Sequence, residues 1–393
     1  MKSGWQIMGG IAWALLFLSA SSVGAEKVEI AGIYYHLNGD GSAEVTCRGD
    51  EEDGWMYYPA DELYVGDLTV PGEVEYEGKT YVVKALGDDA FAGSKYLTSI
   101  SLPLSLTSVG SGVFTLCNGL EYISVDDMNP TFISQDGVLY KRNPLSIFFV
   151  PRNITGDIAL LDAVREIPSA AFQNCVNLTT ITLPEEVISI ADGAFNNCKN
   201  LQEIFMGDKL ESIGEYAFSK CSSLTIVNFP TSVKSIKAAA FADCENLSYA
   251  LFHEGVESIG KMAFYNCGHL MGVQLPSTLR SIGESAFKEC VSLDVVKNDS
   301  PLAIELGSTD YGYVAYYASQ IIPDPQGSAC TKNLSDQLTL LREEGRWVIL
   351  NGSGRWVSIY TLNGKLLCHL FCTNEKEEIP VESPRILVVP EER

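Results

Sequence analysis

Phenylalanine returns at a fixed step of 23 residues, and no other feature constrains the fold as strongly. Phe91 and Phe114 form one pair, and Phe172, Phe195, Phe218, Phe241, Phe264 and Phe287 continue at the same step. The leucine that opens each unit keeps phase at Leu97, Leu120, Leu178, Leu201, Leu224, Leu247, Leu270 and Leu293. A cysteine stands three places after Phe at Cys117, Cys175, Cys198, Cys221, Cys244, Cys267 and Cys290. Three residue types held in register over so many units are the signature of a solenoid. A length of 393 residues would otherwise suggest two or three ordinary domains; an array in which each unit contacts its neighbours replaces that expectation.

One unit shows the physics. In the stretch from Leu178 to Pro184, Ile181 and Leu183 alternate with Thr180 and Thr182, which predicts a short strand with one buried face. Pro184 ends it, because proline cannot donate to a ladder. Val187 and Ile190 predict a second extended stretch. Ala194, Phe195 and Cys198 have the spacing of a single helical turn with its apolar side inward. Gly214, Gly260 and Gly283 follow the isoleucine of their units, where a bend is expected to need a permissive backbone. One unit cannot cover its inward side chains alone. Stacking does, each large side chain contributing about 1.5–3 kcal/mol before the opposing entropy.

The resulting pattern, L-x-x-I-x-L-P followed by V-x-x-I-G-x-x-A-F-x-x-C, resembles the BspA-like leucine-rich repeats of secreted bacterial proteins over Leu68 to Val296. Asp136-Gly137-Val138-Leu139-Tyr140 is similar to an insertion that recurs in that family, and the stretches Ala31 to Tyr35 and Glu77 to Tyr81 resemble its lead-in. The resemblance implies a leucine-rich repeat solenoid and adhesion to host extracellular proteins. It does not fix a partner, because such repeats are scaffolds.

The expected organisation follows. Residues 1–25 read as a signal peptide: Lys2, an apolar run from Ile11 to Leu18, and a cleavage site between Ala25 and Glu26. The run is too short to span a membrane comfortably, and the mature chain carries no second one. Residues 26–67 should form an N-terminal β cap and 68–296 the repeat solenoid, mostly β with short helical turns. The step from Leu120 to Leu178 is two repeats plus twelve residues, so a hairpin insertion is expected near 126–154, turning at Asp136-Gly137. A smaller insertion before Leu86 should turn at Glu77-Gly78. Residues 297–338 read as a C-terminal cap and linker, and 339–393 as a small β-sandwich module with a hairpin signal at Asn363-Gly364. Its stretch Val357 to Lys365 resembles C-terminal sorting domains used by some Bacteroidota for export to the cell surface, without the Gly-x-Tyr usual in that family before Ile386.

Composition narrows the function. With 50 Asp and Glu against 27 Lys and Arg, the net charge is −23, which excludes nucleic acid as a main partner. The chain has 11 cysteines, an odd number. Ladder side chains point in parallel, a poor geometry for disulfides, so buried free thiols are expected. No metal-ligand spacing, nucleophile elbow or phosphate loop is present, and the expectation is no catalysis, no cofactor and no metal. Arg48-Gly49-Asp50 is an integrin-type tripeptide, short enough to arise by chance.

A partner would meet the outward positions of the parallel strands, two and four places after each opening leucine. Tyr122, Glu203, Phe205, Ile226, Asn228, Tyr249, Leu251 and Gln274 are the expected binding residues, with Phe205, Ile226, Tyr249 and Leu251 as an exposed apolar patch. The sequence thus points to a secreted or cell-surface binding protein, adhesin-like, for an extracellular protein or glycan, with the periplasm as the other destination. The alternative is a structural envelope or assembly component held through the C-terminal module.

Overall fold

The computed structural model describes residues 26–48 and 63–322, and the backbone of six strands between residues 339 and 390. The leader and Ala25, the Gly49-Asp50 pair with the acidic stretch through residue 62, Cys330, the Asn363-Gly364 turn, and the side chains of Glu26, Cys368 and Cys372 lie outside the described residues.

The repeats coil into a β-solenoid of 23-residue rungs. Each rung contributes one front strand, and these pair in parallel, rung upon rung. Leu178–Thr182 pairs Glu203–Phe205, with Ile181 opposite Ile204. That ladder ends at Glu203–Phe205, and a second begins one rung on: Ile226–Asn228, Tyr249–Leu251, Gly272–Leu275 and Val295–Asn298 pair in turn, and Gln320–Ile322 closes that edge. The back sheet is built from two-residue strands. Ser189, Ser212, Ser235, Ser258 and Ser281 stack on one another, as do the isoleucines beside them. Between the sheets lie the ladders read from the sequence: Phe172, Phe195, Phe218, Phe241, Phe264 and Phe287 are fully buried. Consecutive rings from Phe195 to Phe287 stack within 9° of parallel at 5.0–5.3 Å.

The expected helical turn at Ala-Phe-x-x-Cys is realised as a chain of tight turns. Asn196 N donates to Gly193 O, Cys198 N to Phe195 O and Leu201 N to Cys198 O, each three residues back. Two residues per corner sit in the left-handed region, as at Tyr216 (φ 54°) and Lys220 (φ 63°), and this stops a helix from propagating. The intervening N–H groups are thereby turned along the solenoid axis. Gly193, Phe195 and Asn197 donate to Glu215, Ala217 and Ser219 of the next rung, and the pattern repeats along the array. The glycines after isoleucine are needed for space. A Cβ on Gly214 would lie 2.6 Å from the Ala191 carbonyl carbon, and one on Gly283 would lie 2.4 Å from Lys261 N. Close approach of the preceding rung is the constraint there, in place of the permissive backbone expected.

At the N-terminus, Glu26–Ile30, Ile33–Leu37 and Ser42–Val45 form an antiparallel meander that joins Lys79–Leu86 in parallel. The first insertion is a hairpin of Glu73–Tyr76 and Lys79–Leu86 that turns at Glu77-Gly78. The second comprises Phe132–Gln135, Val138–Arg142 and Leu145–Phe149, turning at Asp136-Gly137 with both φ positive. It interrupts the front sheet and divides the interior into two cores. Phe132 and Leu139 pack into the N-terminal core, while Val138, Tyr140 and Ile147 pack into the C-terminal one. After residue 338 the six strands form two three-stranded antiparallel sheets.

Candidate partner-binding face

The front strands alternate as the pleat requires. Leu178 and Ile181 point inward and are fully buried, while Thr182 between Ile181 and Leu183 is exposed. Outward residues of successive rungs therefore line up across the sheet at the inter-strand spacing. The N-terminal rungs carry a hydroxyl row. Asp67 accepts from Thr98 Oγ1 at 2.9 Å and Ser99 Oγ at 2.6 Å, which holds its carboxyl below the usual range. Ser124 Oγ donates to Ser101 Oγ at 2.9 Å.

The expected binding residues separate into two groups. Tyr122 is 49% exposed and Phe205 is 41% exposed, and Glu203 is exposed on the same strand as Phe205. Ile226, Asn228 and Gln274 are half-buried. Asn228 Oδ1 lies 2.8 Å from His253 Nε2, whose pKa is lowered by burial, and Gln274 Nε2 donates to Asp299 at 2.9 Å. Tyr249 and Leu251 do not belong to an exposed patch: they are only 6% and 4% exposed. The physical reason is cover from the same chain, because the strand Leu366–Cys372 lies beside Tyr249–Leu251. Exposure on the front side therefore falls in two places, Tyr122 before the insertion and Thr182, Glu203 and Phe205 after it, and it fades toward Ile226.

The ladder cysteines are free and buried, and each thiol from Cys198 to Cys290 donates to the Phe carbonyl of the preceding rung, as Cys244 Sγ does to Phe218 O at 3.1 Å. Burial pushes Cys117 up to about 12 and raises Cys175, Cys221, Cys244 and Cys267. A thiol held protonated is a poor nucleophile. Among the described residues no group of three or more His, Cys, Asp and Glu is placed to hold a metal, and no helix is long and apolar enough to cross a membrane.

Two features escaped sequence reasoning. One is Asn129, which is buried. Its Nδ2 donates to Leu106 O and Pro103 O, and its Oδ1 accepts from the Thr131 and Phe132 N–H groups. The other is a cavity of about 650 Å³ beside the insertion, edged by Leu116, Asn118, Phe149 and Arg152. The only signal for either was the interruption of the 23-residue step.

The family model described as BspA type leucine rich repeat region, present in six copies, matches residues 80–158 and 165–294, more than half of the chain. The chain belongs to that family. Among solved structures, a leucine-rich repeat protein from Bacteroides ovatus is 25% identical, covers 70% of this chain and 71% of its own, and has a TM-score of 0.48. One from Eubacterium ventriosum is 20% identical over 70% of this chain and 95% of its own, with a TM-score of 0.47. A leucine rich cell surface protein from Faecalibacterium prausnitzii is 17% identical over 75% and 98%, with a TM-score of 0.38. Among curated proteins, none matches the sequence.

Proposed function

We propose that this BspA-type leucine-rich repeat chain is an exported, non-enzymatic, adhesin-like protein that holds an extracellular protein or glycan on its front sheet. The supporting observation is the exposure on that face: the half-exposed ring of Tyr122 stands before the insertion, and beyond it the half-exposed ring of Phe205 stands beside the Thr182 hydroxyl and the Glu203 carboxylate. Exposed aromatics surrounded by polar groups are the usual anchors of a binding surface. Tyr249 and Leu251 are no part of it. The test is binding to an array of extracellular-matrix proteins and glycans over a range of salt. Replacing Tyr122 and Phe205 together by serine abolishes a salt-resistant hit and leaves the melting temperature in place; binding unchanged by the pair would remove this face from the reading.

The strand Leu366–Cys372 beside Tyr249–Leu251 favours a second reading, an envelope or assembly component held through its C-terminal module. Deleting residues 339–393 then releases the protein from the surface fraction into the periplasm or medium. Identical fractionation of the deletion and the full chain would count against it.

A further inference from the structure

The hydrogen-bond pattern of the corners fails at one place. At Phe91, and at every Phe from Phe172 to Phe264, three N–H groups donate to the next rung: two residues before Phe, at Phe, and two after. At Phe114 those donors are Gly112, Phe114 and Leu116, and among the described residues none of the three N–H groups has an acceptor. The facing corner presents the carbonyls of Ser169, Ala171 and Gln173 at positions where other corners accept. Among the described residues only Gln173 O is engaged, by Arg152 Nη1, which also reaches Ala170 O at 3.4 Å.

The segment from Phe149 to Ile154 fills the inner part of the missing rung. Phe149 packs on Phe114 with ring centroids 4.8 Å apart, and Pro151 O accepts from Cys175 Sγ as Phe carbonyls do in other rungs. The segment does not continue to the corner. The cavity of about 650 Å³ lies there, with Phe148 and Phe149 as its apolar side and Asn118, Asn174 and Arg152 at its edge. Adjacent strands lie about 4.8 Å apart, so an omitted corner leaves the width of one extended chain. Its volume is that of a pocket for a few residues.

We propose that this slot binds an extended segment of a partner protein, which completes the absent corner. Its carbonyls accept from the N–H groups of Gly112, Phe114 and Leu116, its N–H groups donate to Ser169 and Ala171, and one large apolar side chain rests on Phe148 and Phe149. This is strand addition inside an array, with main-chain bonds giving affinity and the apolar side giving selectivity. The site is separate from the front face and does not rest on the reading of that face.

The test uses the purified protein and blocked pentapeptides in which threonine alternates with phenylalanine, leucine or valine. Saturable binding is expected, together with slowed hydrogen exchange at Gly112, Phe114 and Leu116. Methylating two peptide nitrogens on one edge weakens binding at least about tenfold, since each lost bond contributes a net fraction of that factor. Asn118→Trp, on an exposed position at the edge, fills the slot and removes binding, whereas the Tyr122 and Phe205 double variant retains it. Failure of every peptide to bind would overturn the proposal, as would binding that leaves those three amides unprotected or tolerates N-methylation. The exchange readout on the unaltered protein decides the matter even where a variant fails to fold.

Discussion

At the residue scale, each ladder position is repeated, and so is its energetics. Phe241 is packed face to face with Phe218 and Phe264, with Phe229 edge-on. Phe241→Ala should destabilise the array by about 3–5 kcal/mol in chemical denaturation, the range for a buried aromatic truncated to a methyl. The left-handed corner positions behave differently. Asn occupies them at Asn174, Asn197 and Asn266, and Asn197 Nδ2 donates to Asn174 Oδ1 at 2.7 Å, while Lys220 holds the same conformation without that chemistry. Lys220→Asn should therefore raise stability by about 0.5–1 kcal/mol, measured as a shift in melting temperature. The Phe, Leu and Cys ladders were legible in the sequence because stacking forces identical neighbours into identical positions. The corner conformation was not, because Ala170, Tyr216, Lys220 and Met262 share no propensity for it. They are held there by bonds to the flanking rungs, and a tertiary constraint leaves no local mark.

At the scale of elements, the insertion is a two-faced strand pair. Its turn was readable from Asp136-Gly137, since both residues tolerate positive φ. Its packing was not, because alternation alone does not say that both faces are buried. Leu139 faces one core and Tyr140 the other. Leu139→Ala should speed hydrogen exchange in residues 64–125, and Tyr140→Ala in residues 150–296, each with a loss of about 2–5 kcal/mol. Asn129 ties the approach to this hairpin through five hydrogen bonds from one buried amide. Asn129→Ala leaves backbone groups unpaired and should cost about 3 kcal/mol. On the front sheet, the strand period alone gives outward positions for Phe205, Tyr249 and Leu251, and Phe205 is exposed there. The period does not give the burial of Tyr249 and Leu251, because their cover comes from a strand more than a hundred residues later, to which a repeat of 23 is blind.

At the scale of the whole molecule, titration sets the limits of stability. Asp67, Asp88, Glu186 and Glu284 are all held below their ordinary values: Asp67 by Ser99 and Thr98, Asp88 by the Ser111 N–H and hydroxyl, Glu186 by Lys209 and Glu284 by Lys261. A lowered pKa in the folded state gives stability that is present above the unfolded value and lost as pH falls through the folded one. The acid limb should thus begin below about pH 4–5, and be shallow, since these groups are exposed. The thiols act in the opposite direction. Cys117, Cys175, Cys221, Cys244 and Cys267 are raised by burial, so the unfolded chain releases protons from about pH 8.5 upward while the fold retains them. Stability should fall with rising pH above that point. Replacing Cys221, Cys244 and Cys267 by alanine should flatten the alkaline limb, read as melting temperature against pH.

The division of the interior at residues 132–149 also bears on how such a chain can change over generations. Within either core, gaining or losing 23 residues slides a rung in or out while the phenylalanine, leucine and isoleucine ladders stay in register. Across the hairpin it cannot, because one strand serves two interiors at once. The two halves are therefore free to lengthen independently, each counting its copies from the same fixed joint.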